Sequence, residues 1–139
     1  MNVVKMLLLL AVIGAAFHFW NERDAKSALK TADVSRNGFV VVPAPTNWNA
    51  DTVIVLAAED CPKEDAQRAD RMADELGRRK IRYTRAHSAH FDLPDADPVV
   101  LKRLNLVMNG PLPIVFVNGR AKANPTLDDV LSEYEASYK

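Results

Sequence analysis

The sequence predicts an α/β domain, a mixed four-stranded sheet flanked by helices in the order β-α-β-α-β-β-α, and three features predict it. Thr52–Ala57 is a continuous apolar run of strand length, β-branched in its first four positions, which suits a strand buried on both faces. Two stretches of helical period follow, each introduced by a proline, Pro62 and Pro98. Asn118-Gly119 then joins two short strand-like runs as a two-residue hairpin turn.

The first helix is expected from Pro62 to about Arg79. Pro62 fits the first helical position, and Ala66, Ala69, Met72, Ala73 and Leu76 recur at spacings of three and four as one apolar stripe. Gly77 and the basic Arg78-Arg79-Lys80 mark its end, where cations suit the helix dipole. Glu64-Asp65 and Asp74-Glu75 read as its wet face. Ile81–Arg85 alternates with period two as a second strand, Ile81 and Tyr83 on one face. Strand, helix, strand in one sheet implies parallel pairing through a right-handed crossover. The loop after Arg85 then shares a sheet edge with Cys61, and it carries His87 and His90.

Asp97 is the expected N-cap of the second helix, with Pro98 in its first position and Val99, Val100, Leu101, Leu104, Val107 and Met108 as its apolar face. Asn109-Gly110 ends it. Ile114–Val117 is the third strand and Arg120–Lys122 a short antiparallel fourth. Thr126 caps the last helix, Asp129 completing a capping-box variant, and Leu127, Val130, Leu131 and Tyr134 face the sheet. Upstream, Gly38–Val42 has strand composition, but Pro43 and Pro45 follow at once, so it is at best an edge strand or an extended arm.

Met1–Trp20 carries one charge, Lys5, ahead of an uninterrupted apolar run. It reads as a signal anchor or a signal peptide. A spanning helix needs about 20 apolar residues and a signal core about 7–15, so length favours a signal. Phe17, Phe19 and Trp20 suit a membrane interface, so the flanks favour an uncleaved transmembrane anchor. The expected organisation is 1–20 anchor or signal, 21–51 tether and extended arm, and 52–139 the folded domain. That domain is expected outside the cytoplasm, periplasmic or extracellular, membrane-anchored, or secreted if the segment is cleaved.

Lysine and arginine balance aspartate and glutamate at 18 each, which leaves no electrostatic case for nucleic acid. Cys61 is the only cysteine, so no disulfide forms within the chain. It lies between the first predicted strand and the first helix, where amides at a helix N-terminus favour thiolate. Lys63 adds a positive charge, whereas Glu59, Asp60 and Glu64 oppose it. The same position also suits a small buried hydrophobe. His87-x-x-His90 falls short of the three or four ligands of a zinc site, and no metal is expected.

The element order, Cys61-Pro62 after the first strand, and Leu112–Gly119 together resemble the thioredoxin superfamily over roughly residues 52 to 137, with glutaredoxins the nearest form. The resemblance implies that Pro113 is a cis-proline packed beside Cys61. Leu112 and Pro62 would then line a groove for an extended peptide or exported protein thiol, the catalytic set being Cys61, Pro113 and Lys63. Glu64 stands where dithiol members carry a second cysteine, so the implied chemistry is monothiol–disulfide exchange. Ala123-Asn124-Pro125-Thr126 replaces the Gly-Gly pair of glutathione-binding members, leaving glutathione as a candidate ligand and no resident cofactor. The alternative is a redox-inactive binding or scaffold protein that uses the groove near Pro113.

Overall fold

The computed structural model describes residues 2–4, 11–16, 19, 34–46, 48–49, 51–59 and 63–138. Its elements are β1 (Val40–Val41), β2 (Val53–Leu56), α1 (Glu64–Arg78), β3 (Tyr83–Ala86), α2 (Pro98–Met108), β4 (Ile114–Val117), β5 (Arg120–Ala123) and α3 (Leu127–Tyr138). Among the described residues the strands form one five-stranded sheet in the order β1-β5-β4-β2-β3, rather than the four-stranded sheet expected. The extra strand is the Gly38–Val42 segment: Val40 pairs with Ala121 and Val41 with Arg120, antiparallel. Pro43 does not prevent this, because an edge strand needs ladder partners on one side only.

β2 is buried at all four positions and lies between parallel β3 and antiparallel β4. Its alternation divides the core in two. Val53 and Val55 pack with Val115 and Val117 of β4 against Ala69, Met72 and Leu76 of α1 and Val130 of α3. Ile54 and Leu56 pack on the opposite face with Ile114 and Phe116, under Leu104 and Val107 of α2. Helices therefore cover both faces of an α/β sheet. The apolar face expected of α2 is wider than the one it buries: Leu104 and Val107 are inside, while Val99 and Leu101 are exposed.

Local signals explain most boundaries. Asp97 accepts a hydrogen bond from the Val99 N–H at 2.8 Å, capping α2. Thr126 and Asp129 exchange the two bonds of a capping box, Asp129 N to Thr126 Oγ1 and Thr126 N to Asp129 Oδ2, both 3.1 Å. Asn118 and Gly119 both take positive φ, 47° and 76°, as the tight turn between β4 and β5 demands.

The end of α1 differs from expectation. Gly77 lies inside the helix and gives room for the Tyr83 ring, since a Cβ there would come within 3.2 Å of Tyr83 Cε1. The stop is made by Lys80 at φ 58°, with Lys80 N bonded to Gly77 O and Ile81 N to Leu76 O. Ile81 thus serves the helix terminus and packs on the core, and β3 starts two residues later than its alternation suggests. α1 itself begins at Glu64 with Lys63 as N-cap, two residues after the start expected at Pro62, which lies outside the described residues.

Residues 11–16 are helical, and among the described residues no helix is long and apolar enough to cross a membrane. This corrects the expected transmembrane anchor, since a span takes about 20 apolar helical residues. Lys5 and residues 6–10 lie outside the described residues.

A polar chain of contacts fastens the segment before β1 to the domain. Lys122 Nζ donates to Asp129 Oδ2 at 2.9 Å and to the Asn37 carbonyl at 2.8 Å, and Asn37 Nδ2 donates to buried Glu133 at 3.0 Å. Gly38, at φ 82°, packs against the Lys122 side chain, where a Cβ would lie 3.2 Å from Nζ. The Lys122 ammonium and the Thr126 amide hold the Asp129 carboxyl below the ordinary aspartate range. A carboxyl whose pKa is depressed by folding stabilises the fold above its unfolded value, about 3.9, and that contribution is lost as pH falls through the lower folded value. Asp129→Asn is therefore expected to lower the thermal midpoint at pH 7, with the gap to the parent closing on acidification below about pH 4. A gap that is constant from pH 7 to pH 2 would refute the assignment.

Candidate functional site

The antiparallel register of β2 and β4 sets Leu56 opposite Ile114, so the chain entering β4 at Pro113 runs beside the exit of β2 at Ala57. The loop carrying Cys61 begins there. Cys61 and Pro62 lie outside the described residues; Lys63, which follows them, is exposed and extended, at φ −66° and ψ 141°. The Lys63 side chain makes no capping hydrogen bond to the first turn of α1. Glu64 and Asp65 occupy that turn, and Asp65 is paired with Arg68.

Arg85 fixes the exit of β2. Its guanidinium donates to the Ala57 carbonyl at 2.9 Å, to the Ala86 carbonyl at 2.8 Å and to Asp70 at 3.0 Å, tying β2 and β3 to α1 where the loop departs. The Arg85 side chain is mostly buried and its two carbonyl bonds are partly shielded from water, whereas the bond to Asp70 is exposed.

Pro113 is fully buried and the Leu112–Pro113 bond is cis. The Pro113 carbonyl accepts from Asn124 N–H at 2.7 Å, while Asn124 sits at φ 46°. The Leu112 carbonyl accepts from Arg68 at 3.1 Å. The resemblance treats the backbone at Leu112 as open to an extended ligand; here its acceptor is already engaged by α1.

Beside Pro113 is a pocket of about 230 Å³. Arg68, Arg71, Met72 and Glu75 of α1 form one wall, and Pro113, Asn124, Pro125 and Leu127 form the floor and far wall. Sequence reasoning did not single out Arg68 or Arg71. The available signal was their position three apart on the flank of the Ala69–Met72 stripe, the edge of a helix that meets whatever lies beside its core face.

Two other hollows lie elsewhere. An aromatic one of about 160 Å³ against Trp48 and Phe116, and a polar one of about 590 Å³ beside Glu133, both reach Asn118, at the other end of β4 from Pro113. His87 and His90 are exposed, and among the described residues no group of three metal-ligating side chains gathers.

No family model matches the chain, and neither a curated protein nor a solved structure matches it.

Proposed function

We propose that the chain is a thioredoxin-like domain of glutaredoxin type that binds a thiol-bearing or extended ligand against Leu112–Pro113, with Cys61 as a single exchanging thiol. The observation that carries this reading is the β2–β4 register, which brings Pro113 to the strand exit from which the Cys61 loop departs. The strand order supports it too: a central β2 between parallel β3 and antiparallel β4, with helices on both faces.

In the proposed step the Cys61 thiolate attacks one sulfur of a ligand disulfide. A new S–S bond to Cys61 forms, the ligand's own S–S bond breaks, and its other sulfur leaves as thiolate. A second thiol from solution then attacks the ligand sulfur of the mixed disulfide, forming a new disulfide with it and releasing Cys61 as thiolate, because Glu64 stands where a resolving cysteine would be. Amides at the α1 N-terminus favour the attacking thiolate.

The test is the labelling rate of Cys61 with a bimane reagent in the folded chain, with intact-mass analysis after oxidised glutathione. Faster labelling than in the denatured chain at equal pH, and a single glutathione adduct, are expected. Slower labelling without an adduct would sink the thiol role. A second reading, ligand binding without redox work, is favoured by the Arg68–Arg71 pocket, which needs no sulfur. Under it Cys61→Ser leaves binding unchanged.

A further inference from the structure

The pocket beside Pro113 holds more positive charge than the packing of α1 uses. Arg68 pairs with Asp65 and donates to Leu112 O, yet its Nε is buried and has no hydrogen-bond partner among the described residues. Arg71, one turn on, makes no hydrogen bond or ion pair among the described residues. Glu75, the carboxylate on the same wall, is bonded to Arg78 at 2.6 Å. A guanidinium pairs best with a carboxylate, which it can hold through two parallel N–H bonds.

Away from α1 the lining is mostly apolar, with Pro113, Pro125 and Leu127 beside one polar residue, Asn124. At about 230 Å³ the space has room for a carboxylate and an apolar side chain together. The occupant must therefore present an anion to one wall and an apolar group to the other within a single residue. A peptide's last residue does this, since its carboxylate and side chain branch from one carbon. An internal aspartate or glutamate puts its charge at the side-chain tip and has no apolar group beyond it.

We propose that this pocket receives the C-terminal residue of a peptide, its carboxylate on Arg71 and Arg68 and its apolar side chain on Pro113 and Leu127. This rests on reading Leu112–Pro113 as the ligand-binding edge. It adds a coupling: Arg68 now holds the Leu112 carbonyl that an extended ligand pairs with. An arriving carboxylate offers Arg68 a charged acceptor in exchange for a neutral one and frees that carbonyl.

The experiment uses the full chain carrying Cys61→Ser, nitrogen-15 labelled, titrated with N-acetyl-leucine and with N-acetyl-leucinamide and followed by NMR. The acid is expected to shift the Nε–H signals of Arg68 and Arg71 and the Leu127 amide, and the amide to bind at least tenfold more weakly. Arg71→Gln, at an exposed position whose loss an unchanged backbone spectrum would show to be harmless to the fold, is expected to bring the acid down to the level of the amide. Equal binding of acid and amide, no shift with either, or an unaltered acid response in Arg71→Gln overturns the proposal. Because the sulfur is absent throughout, these results are independent of Cys61 reactivity: a reactive Cys61 with no acid preference keeps the thiol reading and removes this one.

Discussion

Phe39→Ala is expected to lower the free energy of unfolding by about 3–5 kcal/mol, the range for truncating a fully buried phenylalanine. Phe39 is 0% exposed and packs in the same cluster as Val53, Leu76, Val117 and Val130, although it precedes β2 by a proline-containing segment. Its entry to the core is held by a short turn, with Ser35 N bonded to Phe39 O at 2.9 Å and Phe39 N to Ser35 Oγ at 3.1 Å. Urea denaturation of the full chain measures the loss. The corresponding deletion, a chain beginning at residue 52, also removes β1 and Val42 and is expected to lack a cooperative transition. A Phe39→Ala loss under about 1 kcal/mol would mean that this segment lies on the domain without completing its core.

Gly110→Ala is expected to cost about 1–3 kcal/mol through overpacking. A Cβ at Gly110 would stand 2.5 Å from the Ala123 Cβ and 3.2 Å from the Val107 carbonyl oxygen. Neither neighbour can swing aside: Ala123 has no rotamer to change, and its strand is paired with β4 through Ile114. The strain should therefore reach the β4–β5 hairpin and the Asn124–Pro113 bond at its base. Ala123→Gly relieves the contact, so the double variant should be less destabilised than the sum of the two single losses, as a double-mutant cycle would show. Strict additivity would place the cost elsewhere.

Gly110 shows how far sequence reasoning carries. Its place after Asn109 marks the end of α2, and the helix ends there. Nothing local reveals that β5 passes close enough to exclude a methyl group, because that contact joins residues 110 and 123 across a hairpin. Gly77 is the converse case. Its composition signal suggests a helix end, but the tertiary approach of Tyr83 explains it, and Lys80 takes the left-handed turn instead. At the candidate site, the cis bond at Leu112–Pro113 was expected from the resemblance that the Leu112–Gly119 motif carries. Arg68 and Arg71 were not, since surface arginines on an amphipathic helix look alike until the β4 entry and the α3 start close a pocket over them.

Local chemistry in the sequence therefore determined the order of elements from β2 onward, the caps of α2 and α3, the Asn118-Gly119 turn and the strand buried on both faces. Each depends on hydrogen bonds or apolar periods within a few residues. Only the tertiary structure decided that Val40–Val41 closes the sheet edge, that Phe39 is core, that Arg68 occupies the Leu112 carbonyl and that two guanidiniums flank Pro113. Those contacts join residues far apart in the chain, and their free energy comes from burial and pairing that no single segment carries.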